Sequence, residues 1–173
     1  MVPFDRQLQR HIPALRRYAR SLLHHGGQAD DLVQDCLMRA LERQQLWQPD
    51  SDLRAWLFTV MHNVYVNQIR KLQRQPVSVT LIDELAVADE VVADEVAPDQ
   101  LARNQHLQRQ MSRLPFPQRE VLALVALEGF SYQQVAEILA IPIGTVMSRL
   151  NRARESMRQW LYSDVATGLR RVK

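Results

Sequence analysis

Hydrophobic and polar positions recur at three- and four-residue steps along most of this chain, most clearly in GFSYQQVAEILAIPIGTVMSRLNRAR, Gly129 to Arg154. Val135, Ile138 and Leu139 share one face of a first helix that Ser131 can cap. Pro142 suits the first turn of a second helix, where its missing N–H costs nothing, and the turn between them falls at Ala140 and Ile141. In the second helix Ile143, Val146, Leu150, Ala153 and Met157 line the inward face, leaving Thr145, Ser148, Arg149 and Arg152 outward. This pattern predicts a helix-turn-helix. Its basic second helix suits the major groove, since hydroxyls and Arg bind phosphates and Arg also fits the O6 and N7 edge of guanine. A helical hairpin with a solvated Arg face has the same local pattern, so the rest of the chain has to decide.

Upstream, Leu8, Ile12, Leu15 and Tyr18 to Leu22 have helical spacing, with Arg10, Arg16, Arg17 and Arg20 between them. His24, His25, Gly26 and Gly27 break this helix, and a second runs from about Ala29 to Gln45 with Leu32, Val33, Cys36, Leu37, Ala40 and Leu41 buried. QPDSD, Gln48 to Asp52, is a turn. A third helix follows from Leu53 to about Arg74, with Trp56, Leu57, Val60, Val64 and Ile69 inward and Asn63, Asn67, Arg70 and Lys71 outward. Pro76 ends it. Helix resumes at Asp99 with Leu107, Met111 and Leu114 inward; Pro115 and Pro117 bracket a turn, and VLALVAL, Val121 to Leu127, is apolar enough to be buried nearly all round.

Charge divides the chain in three. Residues 1 to 74 carry 11 basic and 7 acidic groups, residues 75 to 102 carry seven acids and no Lys or Arg, and residues 103 to 173 carry 11 basic and 5 acidic groups. Two basic lobes therefore flank an acidic link, VADEVVADEV included, that lacks a sustained helical stripe. The fold class expected is all-α: two small helical domains joined by a flexible acidic linker, the second containing the helix-turn-helix. Their bounds are drawn at 1–75, 76–98 and 99–163, with a basic tail over 164–173.

The remaining chemistry is sparse. The single Cys36 excludes an internal disulfide and a cysteine-rich zinc site. The amino terminus lacks the apolar core of a signal peptide, and seven residues is far short of the roughly 20 that cross a bilayer, so a cytoplasmic chain without membrane insertion is expected. No Gly-rich phosphate loop or G-x-S-x-G occurs, and the five His lack zinc-protease spacing. Asp30, Asp31 and Asp35 would need further ligands from elsewhere to hold Mg²⁺. No enzyme, no metal and no cofactor is expected.

ADDLVQDCLMRAL at 29 to 41, DLRAWLFTVMHNVYVNQIRK at 52 to 71 and LPFPQREVLALVALEGFSYQQVAEILAIPIGTVMSRLNRAR at 114 to 154 closely resemble regions two and four of extracytoplasmic-function (ECF) sigma factors. IPALRRYARSL, LRAWLFT and GFSY are also similar to the general-stress branch of that family. The resemblance implies an alternative sigma factor whose partners are core RNA polymerase, promoter DNA and an anti-sigma factor. It implies core-polymerase binding by Asp31, Leu32, Gln34 and Asp35. Asp31 and Asp35 lie one helical turn apart, able to pair with basic groups on a partner or to meet their own helix dipole. It implies −10 DNA binding by Asp50, Ser51 and Asp52 of the turn with Asn63 and Asn67, whose amides supply donors and acceptors for a flipped base, and with Arg70 and Lys71 for phosphates. It implies −35 reading by Thr145, Ser148, Arg149 and Arg152; Met147 stands where some relatives carry Arg. The acidic link, from Asp83 to Asp99, would pass through the positively charged channels of the polymerase.

Two rival readings remain at this point. A sigma mimic that titrates an anti-sigma factor would keep the fold without the DNA face, against which stand Arg149, Arg152, Arg154 and the Asn pair. A one-lobed helix-turn-helix regulator would leave Asp30 to Lys71 without a role.

Overall fold

The computed structural model describes residues 3–23, 26–74 and 98–169. They form α1 (Phe4–Gln9), α2 (Ile12–Leu22), α3 (Gly26–Glu42), a 3₁₀ turn (Gln44–Leu46), α4 (Leu53–Arg74), α5 (Pro98–Ser112), α6 (Phe116–Leu122), a π-helical turn (Ala123–Leu127), α7 (Tyr132–Leu139) and α8 (Ile143–Leu169). The described residues include no strand, so the all-α expectation holds. The acidic link from 76 to 97, and with it Asp83, Glu84, Asp89, Glu90, Asp94 and Glu95, lies outside the described residues, as do 170–173 of the basic tail.

The helix limits follow local chemistry. The first predicted helix is in fact two: Pro13 has no N–H to continue the ladder from α1, and α2 begins around it. Gly26 and Gly27 open α3 rather than break the chain. That helix ends at Glu42, three residues before the expected Gln45, because Arg43 leaves helical geometry at φ −115, ψ 19. Asp52 stands just before α4 and accepts the Ala55 N–H at 3.2 Å, which satisfies one of the free donors of the first turn. α8 runs to Leu169, past the boundary expected at 163.

Three inward assignments are corrected. Leu41 and Leu107 are each 44% exposed, at the margins of their helices' apolar stripes, and Ile143 is equally exposed because it sits on the first turn of α8, beyond the reach of α7. VLALVAL is also not buried all round. Val121 to Leu124 are buried, but the wider π turn that follows leaves Ala126 in solvent.

The first lobe packs α2 on α3 and α3 on α4; the second packs α6 and α7 on α8. The two are not separate bodies. α4 lies on α7, and α2 lies on α5, α6 and the π turn, so one buried cluster runs from Leu8 to Met157. Its centre is aromatic: Tyr18 meets Phe58 at 5.1 Å between ring centroids, Phe58 meets Phe130 edge-on at 5.0 Å, and Tyr65 meets Phe116 at 4.9 Å. Burying each such ring contributes about 1.5–3 kcal/mol.

Charged groups are buried in the same seam. Arg119 of α6 donates to the Leu22 carbonyl at the end of α2, at 2.8 Å, and to the Leu114 carbonyl at 3.0 Å. Glu120 accepts from the Tyr18 hydroxyl at 3.2 Å and bonds His62 Nδ1 on α4. Glu128 accepts from Arg17 on α2 and Arg54 on α4. The π turn explains the reach of Glu128 and Phe130. The Glu128 N–H bonds back to the Ala123 carbonyl at 3.1 Å, five residues earlier, and Gly129 at φ 69 then redirects the chain so that Phe130 enters the first lobe.

Candidate functional site

The helix-turn-helix forms as its pattern predicts. Ser131 and Gln134 build a reciprocal capping box at the start of α7: Ser131 Oγ accepts the Gln134 N–H at 3.2 Å, and Gln134 Oε1 accepts the Ser131 N–H at 3.0 Å. Ala140 ends α7 in the left-handed region at φ 51, ψ 46, and the Ile141 N–H bonds back to the Ala136 carbonyl at 3.0 Å. An alanine at this turn bears a conformational cost that glycine would not.

On α8, Val146, Leu150, Ala153 and Met157 are buried. The opposite face carries Ser148 and Arg152, both exposed, with Thr145 and Arg149 half-buried beside them. Ser148 donates to the Thr145 carbonyl at 3.1 Å. Met147 lies on this face too, 47% exposed, adding an apolar group suited to a thymine methyl.

The first lobe carries two further polar rows. Asp31, Gln34 and Asp35 are exposed on α3, while Leu32 is 1% exposed and belongs to the core, so it supports this face from behind. Asp35 accepts from Gln68 Nε2 of α4 at 2.7 Å. On α4, Asn63 and Asn67 lie one turn apart and exposed, followed by exposed Arg70 and Lys71. A shallow groove between α3 and α4 brings together Asp35, Met38, Asn63, Asn67 and Lys71.

The Gln48–Asp52 loop is held separately at the other end of α4. Ser51 donates its N–H and its hydroxyl to the Gln48 carbonyl, at 2.9 and 2.7 Å. Trp47, just before the loop, packs on Phe4 at 5.4 Å, and Phe4 meets Trp56 at 6.3 Å, which puts Trp56 among packing residues as its spacing suggests. From Asp52 to Asn63 the helix rises about 16 Å, so the loop and the two amides lie at separate places along α4.

Sequence reasoning gave no seam role to Arg17 or Tyr18, which it placed only on helix faces, and passed over Arg54, His62, Arg119, Glu120 and Glu128. No local signal marked them, since charges flanking an apolar run such as Val121 to Leu127 are ordinarily solvated. Among the described residues no three His, Cys, Asp or Glu side chains converge as metal ligands, and no helix is long and apolar enough to cross a membrane.

Residues 8–62 match the family model described as the Sigma2 domain of PhyR, and residues 104–157 match Sigma-70, region 4. The ECF RNA polymerase sigma factor EcfG of Rhodopseudomonas palustris is 39% identical over 155 residues, covering 90% of this chain and 83% of its own. This chain belongs to the ECF sigma factor family. ECF sigma factor SigM of Mycobacterium tuberculosis is 31% identical, over 97% of this chain and 82% of its own. The sigma factor RpoE of Bartonella quintana, solved in complex with the anti-sigma factor NepR, superposes with a TM-score of 0.75 at 37% identity, covering 93% of this chain and 98% of that one. The ECF sigma factor described here is therefore a transcription initiation factor that gives RNA polymerase its promoter specificity, with a helix-turn-helix as its region four.

Proposed function

We propose that this ECF sigma factor divides promoter recognition between its lobes. Residues 99–163 read the −35 element with Thr145, Ser148, Arg149 and Arg152. Residues 1–75 hold the −10 strand along Asp50, Ser51, Asp52, Asn63, Asn67, Arg70 and Lys71. Asp31, Gln34 and Asp35, backed by Leu32, meet basic groups on core polymerase. The observation that carries this reading is the two-sidedness of α8, whose apolar face is buried while its hydroxyl and guanidinium face stays open. The protein has no catalytic role of its own and works in the cytoplasm, where the polymerase is.

The lobes part to do this. The −10 and −35 elements are about 25 base pairs apart, which at about 3.4 Å per pair is about 85 Å. A compact chain of this length has a radius of gyration of about 16 Å. The packed molecule is thus the form held off the promoter. An anti-sigma factor of the NepR kind is the partner expected to stabilise it, by similarity to the RpoE complex, and IPALRRYARSL, LRAWLFT and GFSY favour the general-stress branch.

Reconstitution with core polymerase tests the reading. Promoter-specific transcripts sharing −35 and −10 elements are expected, and Arg149→Ala or Arg152→Ala should weaken binding by roughly 1–3 kcal/mol at a contacted base. A protein that binds an anti-sigma factor yet starts no transcript would be a mimic instead.

A further inference from the structure

The most confined charged group outside the DNA-reading faces is the Glu128 carboxylate. Its side chain is 0% exposed, and it is held by the other lobe. Arg17 donates through Nε and Nη2 to its two oxygens, both at 2.8 Å, in the forked geometry that guanidinium uses equally for carboxylate and phosphate. Arg54 Nη2 donates to the same carboxylate at 2.9 Å and to the Glu128 carbonyl. Two arginines of the first lobe thus converge on one anion supplied by the second.

Their location is informative. Arg54 is two residues beyond Asp52 in the −10 loop, and Asp52 itself touches Gln134 of α7 at 3.4 Å. The Arg54 guanidinium lies over two rings, 4.3 Å from Phe130 and 5.5 Å from Phe58. Phe58 belongs to the first lobe, so Arg54 keeps one stacking partner when the second lobe leaves. The cradle loses its anion while Arg54 keeps Phe58 beneath it.

We infer that Glu128 stands in for a DNA phosphate: in the packed molecule it fills the Arg17–Arg54 cradle, which receives the backbone of the −10 strand once the lobes part. Arg17 and Arg54 are then DNA-binding residues beyond the loop, the Asn pair, Arg70 and Lys71. Closing the molecule and masking this phosphate site become one event, since a single carboxylate does both.

The inference rests on the promoter-reading function, and the experiment separates the two. Holoenzyme assembled with the full chain is titrated onto a matched promoter at several KCl concentrations. For Arg17→Ala and Arg54→Ala the slope of log K against log [KCl] should become shallower, by about 0.7 in all for the one single-strand phosphate the two share, equally on promoters with altered −10 bases, while Arg54→Lys keeps the slope. Unchanged slopes in both alanine variants, with wild-type holoenzyme initiating normally, overturn the cradle. Failure of wild-type holoenzyme to initiate overturns the promoter reading instead. A second arm uses the free full chain and a fluorescent single-stranded −10 oligonucleotide. Glu128→Gln should bind about tenfold tighter than wild type, and adding Arg54→Ala should remove the gain; a gain that survives the Arg54 change overturns the mimicry. The holoenzyme arm leaves Glu128 intact and decides the matter even if Glu128→Gln does not fold.

Discussion

Cys36 sits under α4, its thiol directed at the Leu57 carbonyl with the sulfur 3.6 Å away. Burial pushes that thiol from 9.0 up to about 12. The unfolded chain therefore releases this proton near pH 9 while the folded chain keeps it, so folding stability falls as pH rises from about 9 to about 12. By pH 11 the loss is roughly 2–3 kcal/mol. Tyr18 adds to it above pH 10, because burial and then the nearby Glu120 raise its phenol well beyond the ordinary value. Urea midpoints measured from pH 8 to 11 should fall steeply for the wild type and less steeply for Cys36→Ala. At this scale the sequence was readable wherever a residue lies mid-stripe, as Cys36, Val135 and Leu150 do. It misled at stripe margins such as Leu41 and Leu107 and on the first turn of α8 at Ile143, because periodicity reports a helix face and not whether a neighbour covers it. Leu32 shows the converse: a segment matched to polymerase binding contains a residue that faces the core.

Among the elements, α7 is the best specified, since Ser131, three helical apolar positions and the left-handed Ala140 mark its start, face and end. Ser131→Ala should cost about 1 kcal/mol through loss of the cap, seen as a lower urea midpoint, and Ser131→Asn should restore most of it. The π turn was not legible. VLALVAL satisfies any helical period, and whether five or four residues separate bonded groups depends on where the first lobe takes up Glu128 and Phe130. The division of α1 from α2 was open to reading at Pro13, and only the continuity of the apolar pattern across His11 obscured it. For the interface elements, spacing alone separated the faces of α8, whereas the wide separation of Asp52 from Asn63 needed the helix axis.

For the whole molecule, two basic lobes and an acidic link were visible as blocks of charge, but the shared core was not. Glu120 and Glu128 have the composition of surface acids, and their partners lie 102, 58, 111 and 74 residues away in sequence. No local pattern links such pairs. Phe130 gives the clearest test of the seam, since its ring meets both Phe58 and Arg54. Phe130→Ala should weaken lobe packing by about 3 kcal/mol or more. Small-angle scattering should then show a radius of gyration above the compact value of about 16 Å, with far-UV helicity retained; an unchanged radius would mean that the ring does not hold the lobes together.

The mixture of rings and charges in that seam also bears on the parted state proposed above. A wholly apolar interface of this kind would leave a sticky face on each half, prone to self-association. When the lobes part as proposed, Glu120, Glu128 and the covered portions of Arg54 and Arg119 regain water, which offsets part of the exposure of Phe58 and Phe130. Reclosing has to strip that water again, so these charges re-enter the seam favourably only against their partners. In that parted state, each half therefore carries charges of its own beside its uncovered rings, which opposes self-association.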